Sequence, residues 1–201
     1  MTTLTRGRYI ALEGGEGAGK STLARMVRTR LEAAGQVVRL VREPGGTAVG
    51  EGIRRLLLDD GRLEPWTEAL LFAAQRAELA AEVIKPALDR GEWVVSDRSY
   101  YSSLAYQGIA RGLGLEKVRL VNEWGLAGVV PDLVVVLMVD PIDGLARQDH
   151  PDRIGGEGPE FSRAVAAAYH QLGKDEPERV VLVDAGDPLQ VVVGRVMEVL
   201  T

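Results

Sequence analysis

The sequence predicts an α/β fold in which helices flank a mainly parallel sheet. Five short runs rich in Val, Leu and Ile lack clean alternation of apolar and polar residues, as expected of strands buried on both faces. Helix-like stretches separate these runs, and a glycine-rich loop follows the first one. Strands that alternate with helices are typical of a parallel sheet with helical crossovers.

Each element has a local signal, taken here in chain order. Strands are predicted at RYIALEG (8–14), VVRLVRE (37–43), EWVVSDR (92–98), DLVVVLMVD (132–140) and RVVLVDAG (179–186). Helices are predicted at about 20–34, 49–60, 66–90, 100–128, 160–174 and 188–200. Pro188 lies near the start of the last helix, where proline is well tolerated.

Composition limits the classes of protein. A chain of 201 residues that is 46% hydrophobic and 26% charged predicts one soluble globular domain spanning residues 1–201. Its net charge of -5 argues against polymeric nucleic acid as a partner. The sequence has no Cys, which fits a cytoplasmic protein. No apolar stretch reaches the roughly 18 residues that a membrane span needs.

A polar segment interrupts the rhythm of strands and helices. Residues 147–160, RQDHPDRIGGEGPE, contain two Pro and three Gly and follow a predicted strand. A polar, glycine-flanked loop of this length is typical of a lid over a site or of a surface excursion. We expect a lid at about 145–160.

The loop GGEGAGKST (14–22) fits the phosphate-binding pattern G-x-x-x-x-G-K-[ST] between a strand and a helix. Glycines let successive N–H groups surround phosphate oxygens, and the helix N-terminus adds partial positive charge. Lys20 is predicted to reach the β- and γ-phosphates of a bound nucleotide, and Ser21 to bind Mg²⁺. The predicted nucleotide contacts in this loop are Gly14, Gly15, Glu16, Gly17, Ala18, Gly19, Lys20, Ser21 and Thr22.

A second group of candidates follows the third predicted strand. Asp97 and Arg98 lie at its carboxyl end, the edge at which open α/β sheets bind ligands. A guanidinium is well suited to bidentate binding of a phosphate. Asp97 is a candidate to hold Mg²⁺ through water or to orient Arg98, and Asp140, at the end of the next strand, is a rival Mg²⁺ ligand.

The ordered set of motifs resembles the bacterial thymidylate kinases over nearly the whole chain. The motifs are EGGEGAGKST, REPGGTAVGEGIR (42–54), LLFAAQR (70–76), SDRSYYSSLAYQG (96–108) and DRI (152–154). The resemblance implies a P-loop NTPase-type three-layer fold with a central five-stranded parallel sheet. It also implies Mg²⁺-dependent transfer of the γ-phosphate of ATP to dTMP, on the route to dTTP for DNA synthesis, and a homodimer.

The resemblance assigns arginines to the acceptor phosphate. Arg98 matches the family arginine that forks onto the phosphate of dTMP. Arg42, at the second strand's end, lies against the acceptor, and Arg54 on the next helix approaches the same phosphate. Arg98 is the strongest of the three candidates and is predicted to be catalytic, together with Lys20 and Asp97.

The resemblance also assigns residues to the nucleoside. Phe72 matches the residue that stacks on thymine, and Arg76, four residues later on the same helix face, matches the donor to a thymine carbonyl. Gln107 matches a residue that pairs with the imide edge of the base, with Ser103 as a neighbour. Glu16 matches the acid that meets the sugar 3′-hydroxyl.

The last prediction concerns which arginine supplies the further positive charge needed for catalysis. Some family members carry an arginine in the phosphate loop directly after the acid, where this chain has Gly17. The bacterial type supplies arginine from the lid, and this lid offers Arg147, predicted to contact ATP, and Arg153, predicted to be catalytic. Gly155 replaces an acid that is common in the family, and the stretch before Arg153 is short.

Two other functions remain open on the sequence. One is a kinase for another nucleoside monophosphate, against which Phe72, Arg76 and Gln107 argue. The other is a nucleotide-dependent switch that hydrolyses ATP slowly. Such a switch needs neither an acceptor pocket nor lid arginines.

Overall fold

The computed structural model describes residues 7–59, 61–147 and 152–200. Its five strands form one parallel sheet with the spatial order β2-β3-β1-β4-β5. The strands are β1 (Tyr9–Gly14), β2 (Val38–Arg42), β3 (Trp93–Asp97), β4 (Leu133–Met138) and β5 (Val180–Asp184). The predicted α/β fold with a five-stranded parallel sheet is therefore confirmed.

Helices connect the strands and cover both faces of the sheet. They are α1 (Lys20–Ala33), α2 (Ala48–Leu58), α3 (Pro65–Leu79), α4 (Lys85–Asp89), α5 (Tyr100–Ser103), α6 (Leu115–Leu126), α7 (Pro141–Ala146), α8 (Pro159–Asp175) and α9 (Leu189–Leu200). A π-helical turn at Ala80–Ile84 joins α3 to α4, and a second one at Leu104–Ala110 extends α5. Among the described residues, no helix has the length and apolar character needed to cross a membrane.

The sheet separates two apolar cores because its central strands are buried on both faces. All six residues of β1 are buried. Alternate residues of β1 contribute to opposite cores: Ile10 and Leu12 pack with α1 and α9, whereas Tyr9 and Ala11 pack with α3, α5 and α8. Burial on both faces explains why the strands read as continuous apolar runs without alternation.

Strand register brings the functional loops to one edge of the sheet. Leu12 of β1 pairs with Asp97 of β3, and Arg42 of β2 pairs with the same Asp97. Because parallel strands all end at this edge, the loops after β1, β2 and β3 lie side by side. The glycine loop, Arg42 and the Asp97–Arg98 pair therefore surround one space.

The helices depart from the sequence prediction in three places. The helix expected at 66–90 is continuous but contains the π-helical turn at Ala80–Ile84. The helix expected at 100–128 is interrupted after the second π-helical turn, where Gly112 and Gly114 adopt positive φ angles of 73° and 98°, conformations that suit glycine and end a helix. Helix α7 was not predicted, although Asp140 caps it and Pro141 occupies its first turn.

The predicted lid at about 145–160 is only partly a loop. Residues 145 and 146 end α7, a 3₁₀ turn covers Gly155–Glu157, and α8 begins at Pro159. Residues 148–151 of the predicted lid lie outside the described residues.

Candidate functional site

The glycine loop curls around the N-terminus of α1. Gly14, Gly17 and Gly19 have φ angles of 136°, 69° and 86°, which favour glycine over any residue with a side chain. Helix α1 begins at Lys20, so its unpaired N–H groups face the space that the loop encloses. This arrangement is suited to binding phosphate.

Lys20 is folded back onto the glycine loop. Its side chain is buried, and Nζ donates hydrogen bonds to the carbonyl oxygens of Gly14 at 3.1 Å and Gly15 at 2.7 Å. Burial, reinforced by the nearby Arg98, lowers the pKa of Lys20 to about 8. A phosphate at this loop would favour the charged amine, so Lys20 is available as a phosphate ligand.

Ser21 and Asp97 place two side-chain oxygens next to each other at the mouth of the loop, and both are possible metal ligands. The Ser21 hydroxyl donates a hydrogen bond to Oδ2 of Asp97, although the two residues are 76 positions apart. The described residues contain no cluster of three or more His, Cys, Asp or Glu able to hold a metal. Asp140, the rival candidate, accepts a hydrogen bond from the backbone N–H of Ile142 at 2.8 Å and caps α7.

Arg98 occupies the centre of the site. Its φ angle of 76° is unusual for a residue with a side chain. The guanidinium pairs with Glu16 and donates to Oγ of Ser102 at 3.1 Å, and it lies over the ring of Tyr106 with Cζ 5.2 Å from the centroid. Burial opposes the charge of Glu16, but Arg98 and Lys20 outweigh burial and lower the pKa of Glu16 to about 2.

Glu13 supports the turn that presents Arg98. This fully buried carboxylate accepts hydrogen bonds from the Ser99 N–H at 2.7 Å, the Ser102 hydroxyl at 2.6 Å and the Tyr169 hydroxyl at 2.7 Å. Ser102 in turn accepts from Arg98. Sequence reasoning did not single out Glu13, although an acid within the apolar run YIALEG was a usable signal.

Arg42 and Arg54 stand on one rim of the site. Nη2 of Arg42 donates to both carboxylate oxygens of Glu51, at 2.8 and 3.0 Å, and this pair is half exposed. Nη1 of Arg54 donates to the carbonyl oxygen of Pro44 at 2.8 Å. Two cations therefore approach the site from the second strand and the helix that follows it.

Phe72, Arg76 and Gln107 form the opposite end of the site. Arg76 is almost fully buried, and its Cζ lies 5.4 Å from the Phe72 ring centroid. Nε of Arg76 pairs with Glu43 at 2.5 Å, and Nη1 donates to Oγ of Ser103 at 2.7 Å. Glu43, which sequence reasoning also missed, thus fixes the direction of Arg76.

These two ends belong to one cavity of about 400 Å³. Its lining includes most of the predicted site, from the glycine loop to the buried aromatic end. The predicted residues that line it are Glu16, Gly17, Gly19, Lys20, Ser21, Thr22, Arg42, Arg54, Phe72, Arg76, Asp97, Arg98 and Gln107. Gly14, Gly15, Ala18 and Ser103 are not among the lining residues, although Ser103 accepts a hydrogen bond from Arg76.

The two predicted lid arginines have different positions. Arg153 lies outside the cavity lining: its Nε donates to the carbonyl oxygen of Leu57 at 2.8 Å, and Nη2 donates to Glu68 at 2.6 Å. Arg147 is exposed at the end of α7 and also lies outside the lining. Neither arginine contacts the glycine loop in this conformation, so the structure does not bring the lid cations to the predicted phosphate site.

The glycine loop and α7 approach each other closely. A Cβ atom placed on Gly17 would lie 1.9 Å from the carbonyl oxygen of Gly144, and one placed on Gly144 would lie 2.4 Å from the carbonyl oxygen of Glu16. Both separations are far below contact distance. The backbone of α7, which leads into the predicted lid, therefore rests on the loop only because both positions lack side chains.

Comparison with known proteins gives one consistent result. A family model described as thymidylate kinase matches residues 12–196. A thymidylate kinase from Caldanaerobacter subterraneus subsp. tengcongensis is 44% identical over 89% of this chain and 88% of its own length. Those from Alkalilimnicola ehrlichii and Deinococcus radiodurans are 45% and 44% identical over 98% and 92% of this chain and 94% and 92% of their own lengths, respectively.

Proposed function

The chain belongs to the thymidylate kinase family, and we propose on this premise that it transfers the γ-phosphoryl group of ATP to dTMP, giving dTDP and ADP. The sequence-based recognition of the family is confirmed. The activity carries over because the relatives align over nearly the full chain and because the site has the parts that the reaction requires.

One observation supports this function above all. A single cavity is lined by the phosphate-binding loop, by Arg98 and by a buried aromatic and polar pocket. Phosphoryl transfer depends mainly on positioning and on electrostatic stabilisation of two anionic groups. A cavity with a phosphate site at one end and a buried aromatic and polar pocket at the other positions a donor and an acceptor for that step.

The acceptor phosphate is assigned to the arginines at the centre and rim of the cavity. Arg98 binds this phosphate through its guanidinium, and Arg42 and Arg54 add positive charge from the rim. In the structure Glu16 pairs with Arg98, so a phosphate that binds Arg98 competes with this carboxylate. Glu16, once displaced from part of Arg98, is then free to accept the sugar 3′-hydroxyl of dTMP.

The base is assigned to the opposite end of the cavity. The Phe72 ring stacks on thymine, while Arg76 and Gln107 meet its polar edge. Arg76 is held by Glu43 and Ser103, through Nε and Nη1, which leaves Nη2 for a carbonyl oxygen of the base. A buried polar pocket of this kind rejects a base whose donors and acceptors are exchanged.

The donor side requires cations that this chain supplies in part. Lys20 holds the β- and γ-phosphates of ATP and stabilises charge on the transferring group. Ser21 and Asp97 present oxygen donors next to the loop, which fits Mg²⁺, an ion commonly held by few protein oxygens together with phosphates and water. When bound, Mg²⁺ neutralises charge on the phosphate oxygens. The hydrogen bond from the Ser21 hydroxyl to Asp97 would have to break before the Ser21 oxygen could bind Mg²⁺.

The chain is proposed to act as one domain with a lid at about 145–160. Of the two lid arginines, Arg147 is exposed and follows α7, which rests on the glycine loop. This position favours Arg147 for the contact to ATP. Arg153 is held by Glu68 and Leu57, so the catalytic role predicted for it requires its release from both partners and stays a prediction.

A homodimer is also proposed. Trp66 and Leu70 on α3, and Leu120 and Trp124 on α6, are exposed, and Trp124 is 82% exposed. Helices α3 and α6 pack against each other, so they present apolar residues on neighbouring elements, as interfaces between copies do. Light scattering should give twice the chain mass, and Trp124→Glu should shift the protein to a monomer. A cytoplasmic location is part of the proposal and rests on composition alone.

A coupled assay with ATP, Mg²⁺ and a panel of nucleoside monophosphates tests the proposed reaction. We expect dTMP and dUMP to be phosphorylated and dCMP to be rejected. Equal turnover of dCMP and dTMP would contradict the base assignment. Hydrolysis of ATP that is independent of any acceptor would instead favour a nucleotide-dependent switch.

A further inference from the structure

A buried carboxylate lies behind the base end of the cavity. Glu68, in the first turn of α3, is 1% exposed and does not line the cavity. Its Oε1 accepts from Nε2 of Gln107 at 2.7 Å and Nε of Arg111 at 2.7 Å. Its Oε2 accepts from Nη2 of Arg111 at 3.1 Å and Nη2 of Arg153 at 2.6 Å.

The surrounding arginines keep Glu68 in its charged form. Burial raises the pKa of Glu68, but hydrogen bonds from Arg111, Arg153 and Gln107 outweigh burial and lower the pKa below its usual value. Arg111 is itself balanced by a second carboxylate, Glu157, at 2.8 Å. Glu68 is therefore ionised at neutral pH and can only accept hydrogen bonds.

An acceptor-only partner determines which way the Gln107 amide points. The NH₂ group must face Glu68, because the reversed amide would place two oxygen acceptors against each other. Gln107 lines the cavity and is 2% exposed. In the described part of the chain, no side chain and no backbone N–H outside the helices donates a hydrogen bond to Oε1 of Gln107. The oxygen of this amide is thus left to a ligand in the cavity.

The direction of this amide matters for the choice of base. Thymine carries a hydrogen-bond donor at N3, whereas N3 of cytosine is an acceptor. An amide oxygen fixed toward the base accepts from thymine and opposes cytosine. A freely rotating amide would adapt to either base by presenting its oxygen or its NH₂ group.

We propose that Glu68 is a positioning residue that sets base selectivity by holding the Gln107 amide in one orientation. The inference rests on the proposed function, because it assumes that the base of dTMP lies against Gln107. Glu68 touches neither substrate and acts only through Gln107. Arg111 and Arg153 contribute by keeping Glu68 ionised.

The test compares kcat/KM for dTMP with kcat/KM for dCMP in Glu68→Gln, Glu68→Asp and a control, Glu157→Gln. A glutamine at position 68 can both donate and accept, which frees the Gln107 amide to rotate. We expect Glu68→Gln to lower the dTMP-to-dCMP ratio about tenfold or more, a change of about 1.4 kcal/mol in discrimination. Glu68→Asp keeps the charge and Glu157→Gln removes only the outer partner of Arg111, so both should retain the ratio within about threefold.

A merely structural role would lower kcat/KM for both substrates equally, and an unchanged ratio in Glu68→Gln overturns the proposal. If Glu68→Gln does not fold, nuclear magnetic resonance of the wild-type protein decides. The side-chain NH₂ signals of Gln107, identified by their loss in Gln107→Met, should form a resolved pair protected from exchange with water, both with and without dTMP. Averaged or unprotected signals overturn the proposal. A wild-type protein that does not phosphorylate dTMP refutes the proposed function instead.

Discussion

Replacing Arg98 with lysine should weaken the acceptor site while leaving the fold intact. The guanidinium is 15% exposed and already serves Glu16, Ser102 and Tyr106. Lysine has a side chain of similar length and the same charge, and both residues are equally strained at a φ of 76°, so the backbone strain does not change. Lysine has a compact ammonium, however, and cannot form two parallel hydrogen bonds to one phosphate.

The expected loss is one hydrogen bond between charged groups. Such a bond contributes about 1.5–3 kcal/mol, which corresponds to an increase of about 10- to 150-fold in KM for dTMP. Steady-state kinetics at saturating ATP measures this change. Arg119→Lys is the matched control, because Arg119 is 19% exposed, donates to Glu176 at 2.7 Å and lies outside the cavity. A KM for Arg98→Lys within threefold of wild type would refute the assignment of Arg98 to the acceptor phosphate.

Three further predictions address the charges of the site. Lys20→Ala should lower kcat about 10²-fold or more, since the transferring group loses a cation in a buried site, and near-normal turnover would remove the phosphate-loop assignment. The pKa of Glu16 is lowered from its usual 4.5 to about 2. The contribution of the charged Glu16 to the free energy of unfolding is therefore complete above pH 4.5 and is lost as the pH falls through 2. The cost of Glu16→Gln, at most about 3 kcal/mol in unfolding free energy, should therefore be larger at pH 6 than at pH 2.5, and equal costs at both would contradict the pairing with Arg98. Arg147→Ala should lower kcat about 10²-fold with little change in KM for dTMP, whereas Arg153→Ala should have the smaller effect on kcat; the reverse order would favour Arg153 as the catalytic lid residue.

Much of the fold could be predicted because its signals are local. The apolar strands are buried on both faces, so each reads as a short continuous run, and the spacing from Gly14 to Ser21 specifies the loop and the start of α1. Helix α7 escaped prediction because it has only six residues, too few to show helical periodicity. Its cap and proline were nevertheless present in the sequence.

The site was less predictable wherever a role depends on a distant partner. Glu13, Glu43 and Glu68 each orient a site residue that lies 30 or more positions away, and nothing in their own neighbourhoods indicates that partner. Arg153 illustrates the reverse case. Its place in a polar, glycine-rich segment predicted an available cation, whereas a buried acid of α3 already holds it.

The contact between Gly17 and Gly144 limits how this enzyme can change over generations. If the catalytic cation comes from the lid, as proposed, moving it to the glycine loop requires a side chain at position 17. The first carbon of that side chain would lie 1.9 Å from the carbonyl oxygen of Gly144. A single substitution at position 17 therefore displaces α7 before it supplies any new charge. A lineage that acquires an arginine at position 17 would first have to shift α7. The lid that follows α7 would still have to function during that change. The two arrangements of the cation are thus separated by a backbone rearrangement and not by one codon.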